Sequence, residues 1–308
     1  MRVAVTDIGT NSTRLLIADV DEDGHVTELV RRSEITRLGD KVDSTGRLSD
    51  AAVKRVYDTL SSYAALIEEH GATERPAVLT SAVRDAQNGQ DFVDAIRERF
   101  GLDAQMIEGT REAQLSFLGA TSDRDPSDDT STLVIDVGGG STELILGAAR
   151  GVHFSTSLQA GAVRYSERHL HTDPPTQAEL SALAADLRAT IDKDVPAEIR
   201  RGARTAIAVA GTATSCAAID QALDPYDPTR VHGYTLDLTT LRLLLARLAA
   251  MPLAERRHVR GLNPDRAPTI VAGASILIGV LEAFELAAFE VSEHDILRGV
   301  ALSRAGFA

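Results

Sequence analysis

The chain has 308 residues, 44% hydrophobic and 25% charged, a balance that suits folded globular domains and leaves length for two separate cores. Its net charge of −13 argues against general nucleic-acid binding and requires that any polyanionic ligand be gathered by local groups of cations. The single cysteine, Cys216, excludes an intramolecular disulfide, and the N-terminus enters a strand-like run without a basic, apolar leader, so a cytoplasmic protein is expected.

The first predicted element is a hairpin over residues 1–20, with the turn Gly9-Thr10-Asn11-Ser12-Thr13 followed by Arg14. A strand over 26–32 and a polar, turn-like stretch over 37–46 come next. Ser49 is the expected N-cap of an amphipathic helix to Glu69, ended by Gly71. A short buried strand, 77–80, runs into Thr80-Ser81-Ala82-Val83-Arg84; a strand ending in hydroxyls and an arginine can deliver a two-pronged cation to phosphate. A helix over 91–100 and a short strand to Ile107 precede Gly109 and a further helix with Glu112 in its first turn. A carboxylate there serves either the helix dipole or as a general base that activates water. Residues 120–131 are polar and aspartate-rich, the one convincing linker. They place a domain boundary near 124: a first domain over 1–124 and a second over 125–308, whose last helix can pack back on the first.

The second domain opens with a strand, glycine turn and strand over 133–146. Gly138, Gly139 and Gly140 let backbone N–H groups approach a bulky anion, and Ser141 and Thr142 add hydroxyls. Asp136 and Glu143 flank this turn. Carboxylates beside a phosphate cradle call for a bridging cation, and Mg²⁺ suits one or two carboxylates plus phosphate oxygens. The same pattern, Asp-apolar-Gly-x-x-Ser-Thr-x-Leu, occurs at Asp7 and again at Asp136, so the chain is an internal repeat. Arg14 stands where Glu143 stands, which gives one turn a cation and the other a metal-binding carboxylate; Asp7 is an additional metal candidate. Beyond the turn come strand, turn and helix over 154–164, a helix over 176–200, and a strand over 205–209 ending at Gly211-Thr212. A helix over 238–251 and a basic cluster with Arg256, Arg257, Arg260 and Arg266 follow. The apolar run over 269–289 contains Glu282 and Glu285, which marks a buried helix over 271–288 rather than a membrane span. No membrane partner is expected.

Two such phosphate turns resemble those of the acetate and sugar kinase/Hsc70/actin superfamily. The details resemble the exopolyphosphatase/guanosine pentaphosphate phosphohydrolase (Ppx/GppA) family in its short, two-domain form. The resemblance runs over nearly the whole chain. It includes Arg37-Leu38-Gly39, Asp43-x-x-Gly46-x-Leu48, the segment ending at Arg84, Gly109-x-x-Glu112-Ala113-x-Leu115, Leu158-x-x-Gly161-x-x-Arg164 and Leu297-Arg298. Arg111 departs from it, replacing the first of the family's two glutamates; it could add a cation near the substrate or alter the base. Arg164 could face the substrate or tether its helix.

The resemblance implies an α/β fold of two ribonuclease-H-like (actin-like ATPase) domains with an interdomain cleft. It implies release of orthophosphate from the ends of inorganic polyphosphate, with Glu112 as the catalytic base. Asn11, Ser12, Thr13, Arg14, Arg84, Gly138, Gly139, Gly140, Ser141 and Thr142 would bind phosphate. Asp136 and Glu143 would hold Mg²⁺, with Mn²⁺ as an alternative, and the arginine cluster would form a track for the polyphosphate chain. Competing readings are a guanosine pentaphosphate 5′-phosphohydrolase, a non-catalytic sensor of polyphosphate or guanosine polyphosphates, and a kinase of the same fold. A homodimer rests on the resemblance alone.

Overall fold

Apolar residues of the first strands alternate between two cores, with Ala4, Ile8, Leu15 and Ile17 in one and Val3, Val5, Leu16 and Ala18 in the other. That two-residue period belongs to a sheet covered on both faces. β1 (Arg2–Ile8), β2 (Thr13–Val20) and β3 (Val26–Glu34) accordingly form an antiparallel meander. β4 (Pro76–Leu79) pairs parallel with β1, and β5 (Asp103–Met106) parallel with β4, giving the order β3-β2-β1-β4-β5. The computed structural model describes residues 1–149 and 151–307.

The helix Asp50–Glu69 covers one face of this sheet with Val56, Leu60, Tyr63 and Ile67, and the Ser49 hydroxyl caps it by accepting the Ala52 N–H. The helix Gly89–Phe100 packs beside it through Phe92, Val93 and Ile96. On the opposite face, Leu115 of the helix Gly109–Ala120 shares a core with Ile296, Leu297, Val300 and Ala301 of the helix Ile296–Arg304.

The second unit repeats the meander with β6 (Thr132–Val137), β7 (Thr142–Ala148) and β8 (Gly151–Leu158). β9 (Thr205–Val209) runs parallel to β6, β10 (Thr235–Asp237) forms the edge, and β11 (Ala288–Val291) lies between them, for the order β10-β11-β9-β6-β7-β8. Read from β8, this is the first sheet's order with one edge strand added, so both units carry the ribonuclease-H-like arrangement. The chain divides into Met1–Ser122 with the segment from His294 onward, and Asp123–Glu293. The division thus falls just ahead of residue 124, and the end of the expected second domain belongs to the first unit.

Two predicted helices are shorter than expected. The helix expected over 176–200 is two, Gln177–Asp194 and Ala197–Gly202, because Pro196 has no N–H to continue the ladder. The helix expected over 271–288 ends at Ala283, and Ala288 begins β11. Glu285 turns the chain between them at φ 56°. The helix and the start of β11 belong to one apolar run in the sequence, and periodicity does not separate a buried helix from a short strand there. Cys216 is fully buried, which pushes its thiol up to about 12 and makes it inert. Among the described residues, no helix is long and apolar enough to cross a membrane.

Candidate active site

In the first unit, the β1–β2 register sets Asp7 opposite Arg14 and Ile8 opposite Thr13. The turn between them closes with the Gly9 N–H donating to the Ser12 carbonyl at 2.9 Å. From behind, the Gly39 N–H donates to the Thr10 carbonyl at 2.8 Å and the Arg37 N–H to the Asn11 carbonyl at 2.9 Å. A trans peptide whose carbonyl is used on one side offers its N–H on the other, which is the arrangement of an anion cradle. Asn11 and Ser12 are half-buried at this turn. Thr13 is a correction to the expected phosphate ligands: its side chain is fully buried and its hydroxyl pairs with that of Thr36 at 3.0 Å, so it braces the turn.

Arg14 is held by two buried carboxylates. Its Nε and Nη2 donate to one oxygen of Asp7, at 2.8 and 2.7 Å, and its Nη1 donates to Asp295. One guanidinium therefore serves two acids, and the shortfall falls on Asp7. Burial pushes the Asp7 carboxyl above its ordinary value despite Arg14. At Asp295, burial is outweighed by the charges of Arg14 and Arg31 and by the Leu297 N–H, which hold it below. Two of Arg14's nitrogens converge on one Asp7 oxygen, so Asp7 reads as an arginine partner before a metal ligand.

Glu112 sits in the first turn of the helix Gly109–Ala120 and is 8% exposed. Arg84, at the end of the short helix Ser81–Asp85 after β4, donates one nitrogen both to Glu112 Oε2 at 2.7 Å and to the Ile107 carbonyl at 2.8 Å. The predicted phosphate arginine is thus the group that orients the predicted base. Arg111 turns away from it, with Nη2 donating to Ser303 Oγ at 2.7 Å.

The second turn copies the first. Asp136 lies opposite Glu143 and Val137 opposite Thr142, and the Gly138 N–H donates to the Ser141 carbonyl at 3.0 Å. Its carbonyls are also satisfied from behind, at Gly138 by the Ala162 N–H and at Gly139 by the Val163 and Arg164 N–H groups. Gly161 makes that approach possible, since a Cβ there would strike the Gly139 and Gly140 backbone. Arg164 tethers: its Nε donates to the Gly140 carbonyl at 2.7 Å. Ser141 is 2% exposed at the turn. Thr142, like Thr13, is fully buried and donates its hydroxyl to a carbonyl, that of Ala160, so it too is a brace rather than a ligand.

Asp136 and Glu143 are 6% and 1% exposed, and their register puts both carboxylates on one face of adjacent strands. Ser157, on β8, donates to Glu143 Oε1 at 2.7 Å and fixes that side chain. Two buried, hard oxygen donors side by side fit Mg²⁺ or Mn²⁺.

The basic cluster divides. Arg256 is a correction: it is 4% exposed and spends its guanidinium on the carbonyls of Leu248, Met251 and Ala267, binding its own loop together. Arg257 and Arg260 are exposed, and Arg266 lies half-buried against the Gly211 backbone. Asp295, Ser157 and Arg164 are the residues that sequence reasoning did not place at the turns. Only Arg164 carried a signal there, as part of a motif.

The Ppx/GppA phosphatase family profile matches residues 16–306. Exopolyphosphatase 2 of Mycobacterium tuberculosis is 38% identical over 320 aligned positions, covering 99% of each chain. A crystal structure described as an exopolyphosphatase-like protein superposes with a TM-score of 0.92 at 36% identity, covering 99% of both chains. The Aquifex aeolicus member of the Ppx/GppA family superposes at 0.82 with 32% identity, covering 99% of this chain and 97% of that one. With its duplicated turn, its Glu112 helix and a match spanning both units, this chain belongs to the Ppx/GppA phosphatase family.

Proposed function

We propose that this protein is an exopolyphosphatase that cleaves orthophosphate from the ends of inorganic polyphosphate, in the cytoplasm, by direct attack of water. The observation that carries the reading is the Arg84–Glu112 pair, a buried carboxylate held in one orientation in the unit that also bears the first phosphate turn. The full-length relative from Mycobacterium tuberculosis bears the same activity in its name.

The backbone N–H groups of both turns, with Asn11, Ser12 and Ser141, bind phosphate oxygens. Arg14, its guanidinium fixed by Asp7 and Asp295, is the side-chain cation beside the first turn and a phosphate ligand there. Glu112 takes a proton from the attacking water as the new P–O bond forms. The bridging P–O bond breaks, and the shortened chain leaves as the phosphate anion. Asp136 and Glu143 would hold Mg²⁺, or Mn²⁺, and when bound it supplies charge neutralisation on the phosphate oxygens.

The test is phosphate release by the purified protein with Mg²⁺, offered polyphosphates of several lengths, guanosine pentaphosphate and ATP in parallel. Release from polyphosphate that falls at least about 10²-fold in Glu112→Gln, with binding retained, is the expected result. A preference for guanosine pentaphosphate would replace the substrate assignment. A near-wild-type rate for Glu112→Gln would remove the base from the mechanism.

A further inference from the structure

We propose that the helix Ile296–Arg304, through its capping residue Asp295, is a positioning element that aligns the phosphate-binding Arg14 with the base Glu112. The inference rests on the hydrolase reading above. All of the parts lie within the first unit.

Asp295 is 3% exposed and performs two tasks with its two oxygens. Oδ1 accepts the Leu297 N–H at 3.0 Å, which caps the helix; Oδ2 accepts Arg14 Nη1. The carboxylate that fixes the guanidinium is therefore fixed by the start of the helix. The helix is in turn joined to the one that carries Glu112. At their crossing the two backbones nearly touch: a Cβ on Gly119 would lie 2.7 Å from the Asp295 carbonyl carbon and 2.9 Å from Gly299 N. A Cβ on Gly299 would lie 2.7 Å from the Leu115 carbonyl carbon and 3.1 Å from Gly119 N. Such an approach leaves no slack for one helix to slide on the other.

Two further ties act along the same helix. Arg111, the neighbour of Glu112, donates to Ser303 at 2.7 Å. Arg304 pairs with Glu74 at 2.9 Å and with Asp103 at 2.8 Å, which anchors the far end beside β4 and β5. A shift of this helix thus moves the cation and the base together. Arg111 acquires a role here that its position beside the base did not announce: it is a clasp between helices.

Asp295 has a helix-capping role and a charge role, and two substitutions separate them. Asn caps a helix as well as Asp but carries no charge, whereas Glu keeps the charge and caps poorly. The experiment measures kcat/KM for polyphosphate and Tm for wild type, Asp295→Asn and Asp295→Glu. Asp295→Asn is expected to lower kcat/KM about 10- to 100-fold with little change in Tm, the scale seen when a group that orients an active-site ligand is removed. Asp295→Glu is expected to retain more activity than Asp295→Asn. Wild-type kcat/KM in Asp295→Asn, or more activity in Asn than in Glu, would overturn the proposal. Should neither variant fold, Ser303→Ala tests the same coupling at an exposed tie, with an expected fall in kcat of about two- to thirtyfold at unchanged Tm. An unchanged kcat there would overturn it. The wild-type control separates this inference from the function it rests on. If wild type releases phosphate from none of the substrates, the hydrolase reading fails. Tripolyphosphate binding then tests the inference, with Asn expected to weaken it more than Glu and the reverse order overturning it.

Discussion

The two glycine turns have the same strand register, the same closing hydrogen bond from a glycine N–H to a serine carbonyl, and the same buried threonine brace. They differ in what stands opposite the aspartate. In the first, Arg14 faces Asp7, and the cation is part of the chain. In the second, Glu143 faces Asp136, and one face of two strands gathers two buried carboxylates. The residue opposite the aspartate therefore separates a turn whose cation is already in place, balanced by Asp7 and Asp295, from one whose paired carboxylates call for a cation. The stability of the first should be indifferent to divalent metal, and that of the second should depend on it.

Three substitutions would break or sharpen this contrast. Arg14→Gln has the largest expected effect. It leaves Asp7 and Asp295 buried together without their shared cation, which should cost about 3–5 kcal/mol of unfolding free energy. Urea denaturation should give the same loss with Mg²⁺ and with EDTA; a loss that Mg²⁺ repairs would mean the first turn also depends on metal. Glu143→Gln should act in the opposite way. Turnover should fall at least about 10²-fold, because a candidate metal donor itself is removed. In EDTA its stability should match or exceed wild type, since one of two neighbouring negative charges is gone. The rise in Tm on adding Mg²⁺ should shrink, and a full wild-type rise would show that Glu143 is not a donor.

Asp7→Asn is the subtlest of the three and turns on pH. The Asp7 carboxyl sits above its ordinary value of 3.8 in the folded protein, chiefly through burial. Folding therefore favours its protonated form. That contribution is complete below the ordinary value and is lost as pH rises through the higher, folded-state value. Asparagine stays neutral throughout. Asp7→Asn should match wild type near about pH 4 and be the more stable protein near about pH 7, as read from Tm against pH. Equal stability at both pH values would mean that Arg14 fully compensates the burial of Asp7.

Much of this was visible in the chain itself, and the reason is the repeat. Asp7 and Asp136, Gly9 and Gly138, Ser12 and Ser141 announce the turns because a local motif written twice is hard to produce by chance. The strand meanders, the Ser49 cap and the helix bearing Glu112 follow from local patterns as well. What stayed hidden depends on contacts remote in sequence. Arg14 and Asp295 are separated by 281 positions, and no local pattern connects them. Thr13 and Thr142 look like ligands beside a phosphate loop; only the neighbouring Thr36 and Ala160 show that their hydroxyls face inward. Arg256 sits in a run of arginines that reads as a surface, yet the carbonyls it satisfies belong to a loop folded around it. Arg84 was expected at phosphate and is found at the base, because a long guanidinium reaches more than one destination from the same backbone position.

The return of the segment from His294 to the first unit has a consequence for how the protein is made. All of Asp123–Glu293 is synthesised before Asp295, yet Asp295 belongs to the unit that begins at Met1. Until that segment joins it, the first unit has a gap on one sheet face, and Arg14 lacks one of its two acids. The N-terminal turn is thus completed by a residue 281 positions further along the chain, so a fragment ending at Glu293 would hold the turn's sequence without its full set of charges.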